Sequence, residues 1–162
     1  MSDARDIFRR SRRLTPGQLR AVADRRFDDA MCLLESGETA RANGAMYMGG
    51  IAVECLLKAL LLERHPNLAG PVDPARLSKP DREVYTLLFS HALEEMLLFL
   101  PDVRRKLGLL TETGKRPIWP RLKMICGEWS IFIRYSPKLA SRSDAREFLN
   151  TIAEARQWLK TQ

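Results

Sequence analysis

The chain has 162 residues, 45% of them hydrophobic, enough for one domain with a real core and too apolar for a disordered segment. Its net charge is +7, with two basic zones around an acidic middle: residues 1–26 hold eight arginines against three acids, and residues 102–142 hold ten basic residues against three acids. Three cysteines far apart in apolar runs, Cys32, Cys55 and Cys126, argue against a disulfide framework or a cysteine-based zinc site, and read as small buried hydrophobes in a reducing compartment.

The first residues form a basic arm or short helix over 1–14, without the apolar stretch of a signal peptide. The first clear helix begins at Thr15, where Thr15-Pro16-Gly17-Gln18 supplies an N-cap, a proline at N1 and a glutamine at N3, and it ends at Gly37. The second runs from about Glu38 to His65: Ala45, Met48, Ala52, Cys55, Ala59 and Leu62 recur at steps of three and four, the helical apolar period. Gly49-Gly50 in its interior weakens a helix and predicts either close approach by another helix or a kink. Its longest apolar tract, Leu56–Leu62, is interrupted by Lys58 and is too short to span a bilayer, so no membrane is expected.

Residues 66–80, with four prolines, read as a loop. Asp81–Phe89 and Ser90–Leu100 follow as two short helices or one broken helix, and Thr111–Pro117 as another loop. Ile118, Leu122, Ile125, Trp129 and Phe132 then predict a helix over roughly 118–133, ended by Tyr135-Ser136-Pro137. A last helix starts near Ser143 or Asp144 and carries Phe148, Ile152, Ala155 and Leu159. With no strand pattern, the fold class is all-α: an up-and-down antiparallel bundle of about five helices spanning 15–162. Its predicted core includes Phe27, Met31, Met48, Ala52, Cys55, Ala59, Leu93, Leu97, Ile125, Trp129, Phe132, Phe148 and Ile152.

Polar residues within apolar stretches are the candidates for function. Glu54 and Lys58 lie one turn apart on the second helix, either as a solvated pair or as a partly buried one that needs further partners, with Arg134 and His91 available. Neither His65 nor His91 has metal-ligand spacing, so no metal or other cofactor is predicted. His91 suits proton transfer or a buried hydrogen bond, and His65 suits a helix C-terminus. Arg134 can grip a phosphate or pair with Glu54, and Tyr135 can stack on a base or pack the helix end.

The stretch from Arg26 to Leu62 resembles the opening half of a HEPN domain, the helical domain named for higher eukaryotes and prokaryotes nucleotide-binding. The likeness rests on Arg26-Phe27, Ala30, Leu33-Leu34, Ala42, Tyr47, Gly50 and above all Ala52-Val53-Glu54-Cys55-Leu56-Leu57-Lys58-Ala59. Ser90-His91-Ala92-Leu93 resembles the family's third helix, and Arg134-Tyr135 with Gln157-Trp158-Leu159 its closing section. The resemblance implies a helical bundle, homodimerisation, and either metal-independent ribonuclease activity or a binding role beside a nucleotidyltransferase or in a toxin–antitoxin or defence system. Active members carry an arginine, a polar residue and, after a few variable residues, a histidine. Here Arg134 is followed by Tyr135-Ser136-Pro137-Lys138-Leu139-Ala140, with no histidine. The expectation is therefore a cytoplasmic, non-catalytic nucleotide- or RNA-binding domain that uses Lys58, Arg134 and Tyr135. The alternatives are a divergent endoribonuclease built on His91, Arg134 and Glu54, and a protein-interaction or scaffolding module.

Overall fold

The computed structural model describes residues 15–70, 72–112 and 124–162. The arm expected over 1–14, and Ile118 and Leu122 of the predicted fifth helix, lie outside them. Among the described residues the protein is an all-α, multi-helix bundle without strands.

Helix α1 spans Pro16–Glu35. Thr15 Oγ1 accepts from the Gln18 backbone N–H at 3.2 Å, and the Gln18 side chain accepts from the Thr15 N–H at 3.1 Å, the reciprocal cap expected from the sequence. Gly37 then takes a φ of 81°, a left-handed conformation suited to glycine, and a short 3-10 turn at Thr39–Arg41 leads into α2, Ala42–Arg64. Helix α2 is apolar on nearly every side, as befits a helix surrounded by its own protein. It is long and apolar enough to cross a membrane, yet most of that stretch is buried inside the bundle. Helix α1 packs along one side of it and the C-terminal helix along another.

Gly49 and Gly50 permit that packing. A Cβ built on Gly49 would lie 2.5 Å from Leu149 Cδ2, and one on Gly50 would overlap the Trp129 indole. Of the two outcomes foreseen for this pair, close approach is the one found. The small-residue face is thus covered from within the same chain, so it cannot also serve as the surface that receives a second copy.

Two short 3-10 turns, Pro66–Leu68 and Pro74–Arg76, lie in the proline-rich connection. Asp81 fastens it: the carboxylate accepts from Ser78, His65 and Asn67, and these hydrogen bonds hold its carboxyl below the usual carboxylate range. His65 therefore has a structural partner at the end of α2.

Helix α3 covers Lys79–Leu88, starting before the expected Asp81 because Ser78 caps it and Pro80 fits the first turn. The next segment corrects the sequence reading. Ser90, His91 and Ala92 are not helical; α4 is only Leu93–Leu98, and Pro101 opens a further helix, α5, at Pro101–Glu112. Thr111 and Glu112, expected in a loop, close that helix. Pro101 breaks one helix but is well placed to begin another, which an apolar stripe alone does not reveal.

The helix expected over 118–133 is also revised. Residues 124–128 are helical, Ser130 is extended, and Ile131–Tyr135 form a 3-10 turn capped by Ser130, whose Oγ accepts from the Phe132 N–H at 3.2 Å. The break carries Phe132 out of the core, to 70% exposure, although the helical period places it inside. Ile125 and Trp129 remain buried as predicted. Helix α6 spans Arg142–Leu159, beginning earlier than expected because Ser141 and Asp144 form its capping box. Ala52, Cys55, Ala59, Leu93, Leu97 and Ile152 are buried, while Phe27, Met31, Met48 and Phe148 are half-buried against the core.

The cysteines divide into two kinds. Cys32 is exposed, contrary to its expected burial, because it falls on the outer side of α1. Burial pushes the Cys55 thiol up to about 11, with the nearby Glu54 charge adding to it, and the Cys126 thiol up to about 12. A disulfide reagent added to native protein at neutral pH should therefore modify one thiol quickly, lost in Cys32→Ser, and the other two only on unfolding. Rapid modification of all three would mean the core admits solvent.

Candidate functional site on the central helix

Tyr47, Glu54 and Lys58 share one side of α2 through their helical spacing. Two clusters form along it, roughly 10 Å apart at 1.5 Å of rise per residue between Tyr47 and Glu54.

The first cluster centres on Glu54. Lys58 Nζ donates to Glu54 Oε1 at 2.7 Å, and His91 Nδ1 lies 2.8 Å from Oε2. The Glu54 and Lys58 side chains are 6% and 10% exposed, whereas His91 is 45% exposed. A carboxylate oxygen only accepts, so His91 Nδ1 carries the proton in this bond and Nε2 remains for another group. The bend at residues 90–92 makes this possible: freed from a helix, His91 reaches back onto α2. A histidine oriented by a buried carboxylate is chemically able to take up or release a proton.

Arg134 does not join this cluster. The anticipated Glu54–Arg134 ion pair is absent: Lys58 and His91 are the partners of Glu54, and Arg134 sits about two helical turns away along α2. Arg134 Nη1 instead donates to Tyr47 Oη at 3.3 Å. Its guanidinium carbon lies 4.5 Å from the Tyr135 ring centre and 5.5 Å from that of Tyr47, so the cation is held against two aromatic rings. Tyr135 is 67% exposed. Lys58, expected beside Arg134 and Tyr135, is enclosed with Glu54 instead.

Asn43 fixes the loop that carries this second cluster. Its buried amide donates to Lys138 O at 3.0 Å and Ile133 O at 3.4 Å, and its Oδ1 accepts from Ala140 N at 2.8 Å. One side chain near the start of α2 thus satisfies backbone groups on both sides of Arg134-Tyr135. Trp129 completes the surface, its ring stacked 6.3 Å from Tyr47. Among the described residues Trp129 Nε1 has no hydrogen-bond partner where it is buried over Gly50, so shape rather than polarity fixes the indole there.

Beside this surface lies an open cavity of about 390 Å³, lined by Met46, Trp129, Phe132 and Phe148 among apolar residues and by Glu128 and Ser136 among polar ones. Asn43, Tyr47 and Trp129 were not singled out for a site by sequence reasoning. Tyr47 stands two turns before Glu54 on the same face, a usable clue, but the role of Asn43 depends on a loop some ninety residues away. Among the described residues no group of three or more His, Cys, Asp or Glu side chains gathers in a way that could hold a metal. No protein-family model, curated protein or solved structure matches the chain.

Proposed function

We propose that this chain is a HEPN-like, up-and-down helical domain that binds RNA or a nucleotide without itself catalysing a reaction. The observation that carries this reading is the Arg134 guanidinium held against Tyr47 and the exposed Tyr135. An arginine fixed among aromatic rings offers a phosphate contact and a stacking surface together, the combination that grips single-stranded nucleic acid. The net charge of +7 favours a polyanion. Homodimerisation and a nucleotidyltransferase or antitoxin partner belong to the same reading through the family resemblance, and a cytoplasmic setting through the reducing compartment that the three unpaired cysteines suit.

Fluorescence anisotropy with labelled single-stranded RNA tests it. Affinity should fall steeply as salt rises, and Arg134→Ala should lower the slope of log affinity against log salt by about one. Tyr135→Ala should weaken binding by about 5- to 100-fold. Absent or salt-insensitive binding at low ionic strength would end the proposal. A second reading, a metal-independent endoribonuclease, draws on the Glu54–His91 hydrogen bond. It requires that the same RNAs be cut in EDTA and that His91→Ala abolish the cutting.

A further inference from the structure

The cavity next to Arg134 has a composition that the phosphate contact does not use. Its volume of about 390 Å³ falls in the range of small-ligand sites, and its walls are aromatic and aliphatic with a few polar groups at the edge. Trp129 is a buried wall, whereas Phe132 stands at 70% exposure, an arrangement that costs apolar hydration unless something covers the ring. The 3-10 turn explains the pairing of functions. Its residues 132 and 133 and its C-cap Ser136 line the cavity, while residue 134, between them, turns to Tyr47. One short turn therefore presents a cation on one side and an aromatic-walled recess on the other.

Resting on the RNA-binding reading, we infer that this recess takes one unstacked nucleobase of a single strand whose phosphate lies at Arg134, and that Glu128 selects a guanine. Charge separates this occupant from an apolar protein side chain. Among the described residues the one charged residue of the recess wall is Glu128. Arg134 and Lys138, however, are exposed and stand one and two residues from the lining residues Ile133 and Ser136, so a ligand that spans the recess and this loop meets a cation beside an apolar ring. A nucleotide does this in a single unit, with its base against Phe132 and its phosphate at the arginine.

The choice of base follows from Glu128. This carboxylate is exposed, lines the recess and has no hydrogen-bond or ion-pair partner among the described residues. An ionised carboxylate only accepts hydrogen bonds. Guanine presents its N1–H and 2-amino group side by side, matching the two carboxylate oxygens. Uracil flanks its single N–H with carbonyl oxygens, which the carboxylate repels. Ser136 is occupied with Lys138 O through its hydroxyl hydrogen, leaving its oxygen as a further acceptor at the rim.

Labelled hexauridylate and the same hexamer with one central guanosine provide the probe, measured by anisotropy at a single low salt concentration. The guanosine should tighten binding by about 5- to 100-fold, the discrimination of a two-pronged base contact. Glu128→Gln should reduce that preference to within about twofold, in part by tightening hexauridylate binding as the charge that repels uracil is removed. Phe132→Ala should weaken the guanosine hexamer by about 5- to 100-fold. Both side chains are exposed, and circular dichroism of each variant verifies the fold. Arg134→Ala should lower affinity for both hexamers alike. If the native protein binds both hexamers equally, or Glu128→Gln keeps the preference, the base site is wrong and RNA binding still stands. If neither hexamer binds, the RNA reading fails and this inference with it. Full affinity in Phe132→Ala would also overturn it and leave the recess to an apolar side chain of a protein partner.

Discussion

Glu54→Ala should destabilise the protein by about 3–5 kcal/mol, because it leaves the Lys58 ammonium enclosed without its carboxylate. Lys58 Nζ has Glu54 Oε1 at 2.7 Å, and its side chain is only 10% exposed, so solvent cannot readily replace the lost partner. The pair itself does not stabilise the fold by that amount, since removing two charges from water opposes their attraction. The double variant Glu54→Leu with Lys58→Met should therefore lie within about 1–2 kcal/mol of the native protein, far from the sum of the single effects. Urea unfolding of the single and double variants measures this. A loss below about 1 kcal/mol in Glu54→Ala would show that water reaches the pair as it does at a surface.

Gly50→Ala is the second large effect, and its direction opposes helix propensity. In an exposed helix interior the change stabilises by roughly 1 kcal/mol. Here the new methyl would overlap the buried Trp129 indole, and overpacking costs about 1–3 kcal/mol or more, so a net loss of about 2 kcal/mol is expected. Trp129 cannot retreat easily, since Tyr47 stacks beside it. Trp129→Leu removes the obstruction, and the double variant should be more stable than the summed single losses by at least about 1 kcal/mol. Gly49→Ala provides a contrast, because the group it meets is the terminal methyl of Leu149, which can turn aside. Thermal unfolding in which Gly50→Ala equals or exceeds the native protein would refute the packing described for Trp129.

These two residues illustrate how much was legible beforehand. The interior Gly49-Gly50 predicted a close approach, and the structure supplies it, but the approaching groups come from residues 129 and 149. Glu54 and Lys58 were legible as a pair from their spacing of four, and His91 as a further partner. Arg134 was the other named partner, and it went elsewhere because the turn that carries it packs beside Tyr47, about two helical turns from Glu54. Phe132 was assigned to the core by periodicity, and one break after Trp129 moved it to the surface, where it borders the recess.

The sequence by itself determined the all-α class, the Thr15 cap, the two long helices α1 and α2, and most of the buried stripe along α2. Those features depend on neighbours within a turn or two, where spacing and capping chemistry act directly. Only the tertiary structure decided that α4 and α5 are separate helices, that the predicted fifth helix gives way to a 3-10 turn, and that Asn43 holds the loop carrying Arg134 and Tyr135. Each of these depends on groups distant in the chain or on a local break that periodicity does not register. The candidate site residues are of this second kind: folding around one apolar helix sets His91, on the bend before α4, against Glu54, and Arg134, on the turn before α6, against Tyr47, as two separate clusters along α2.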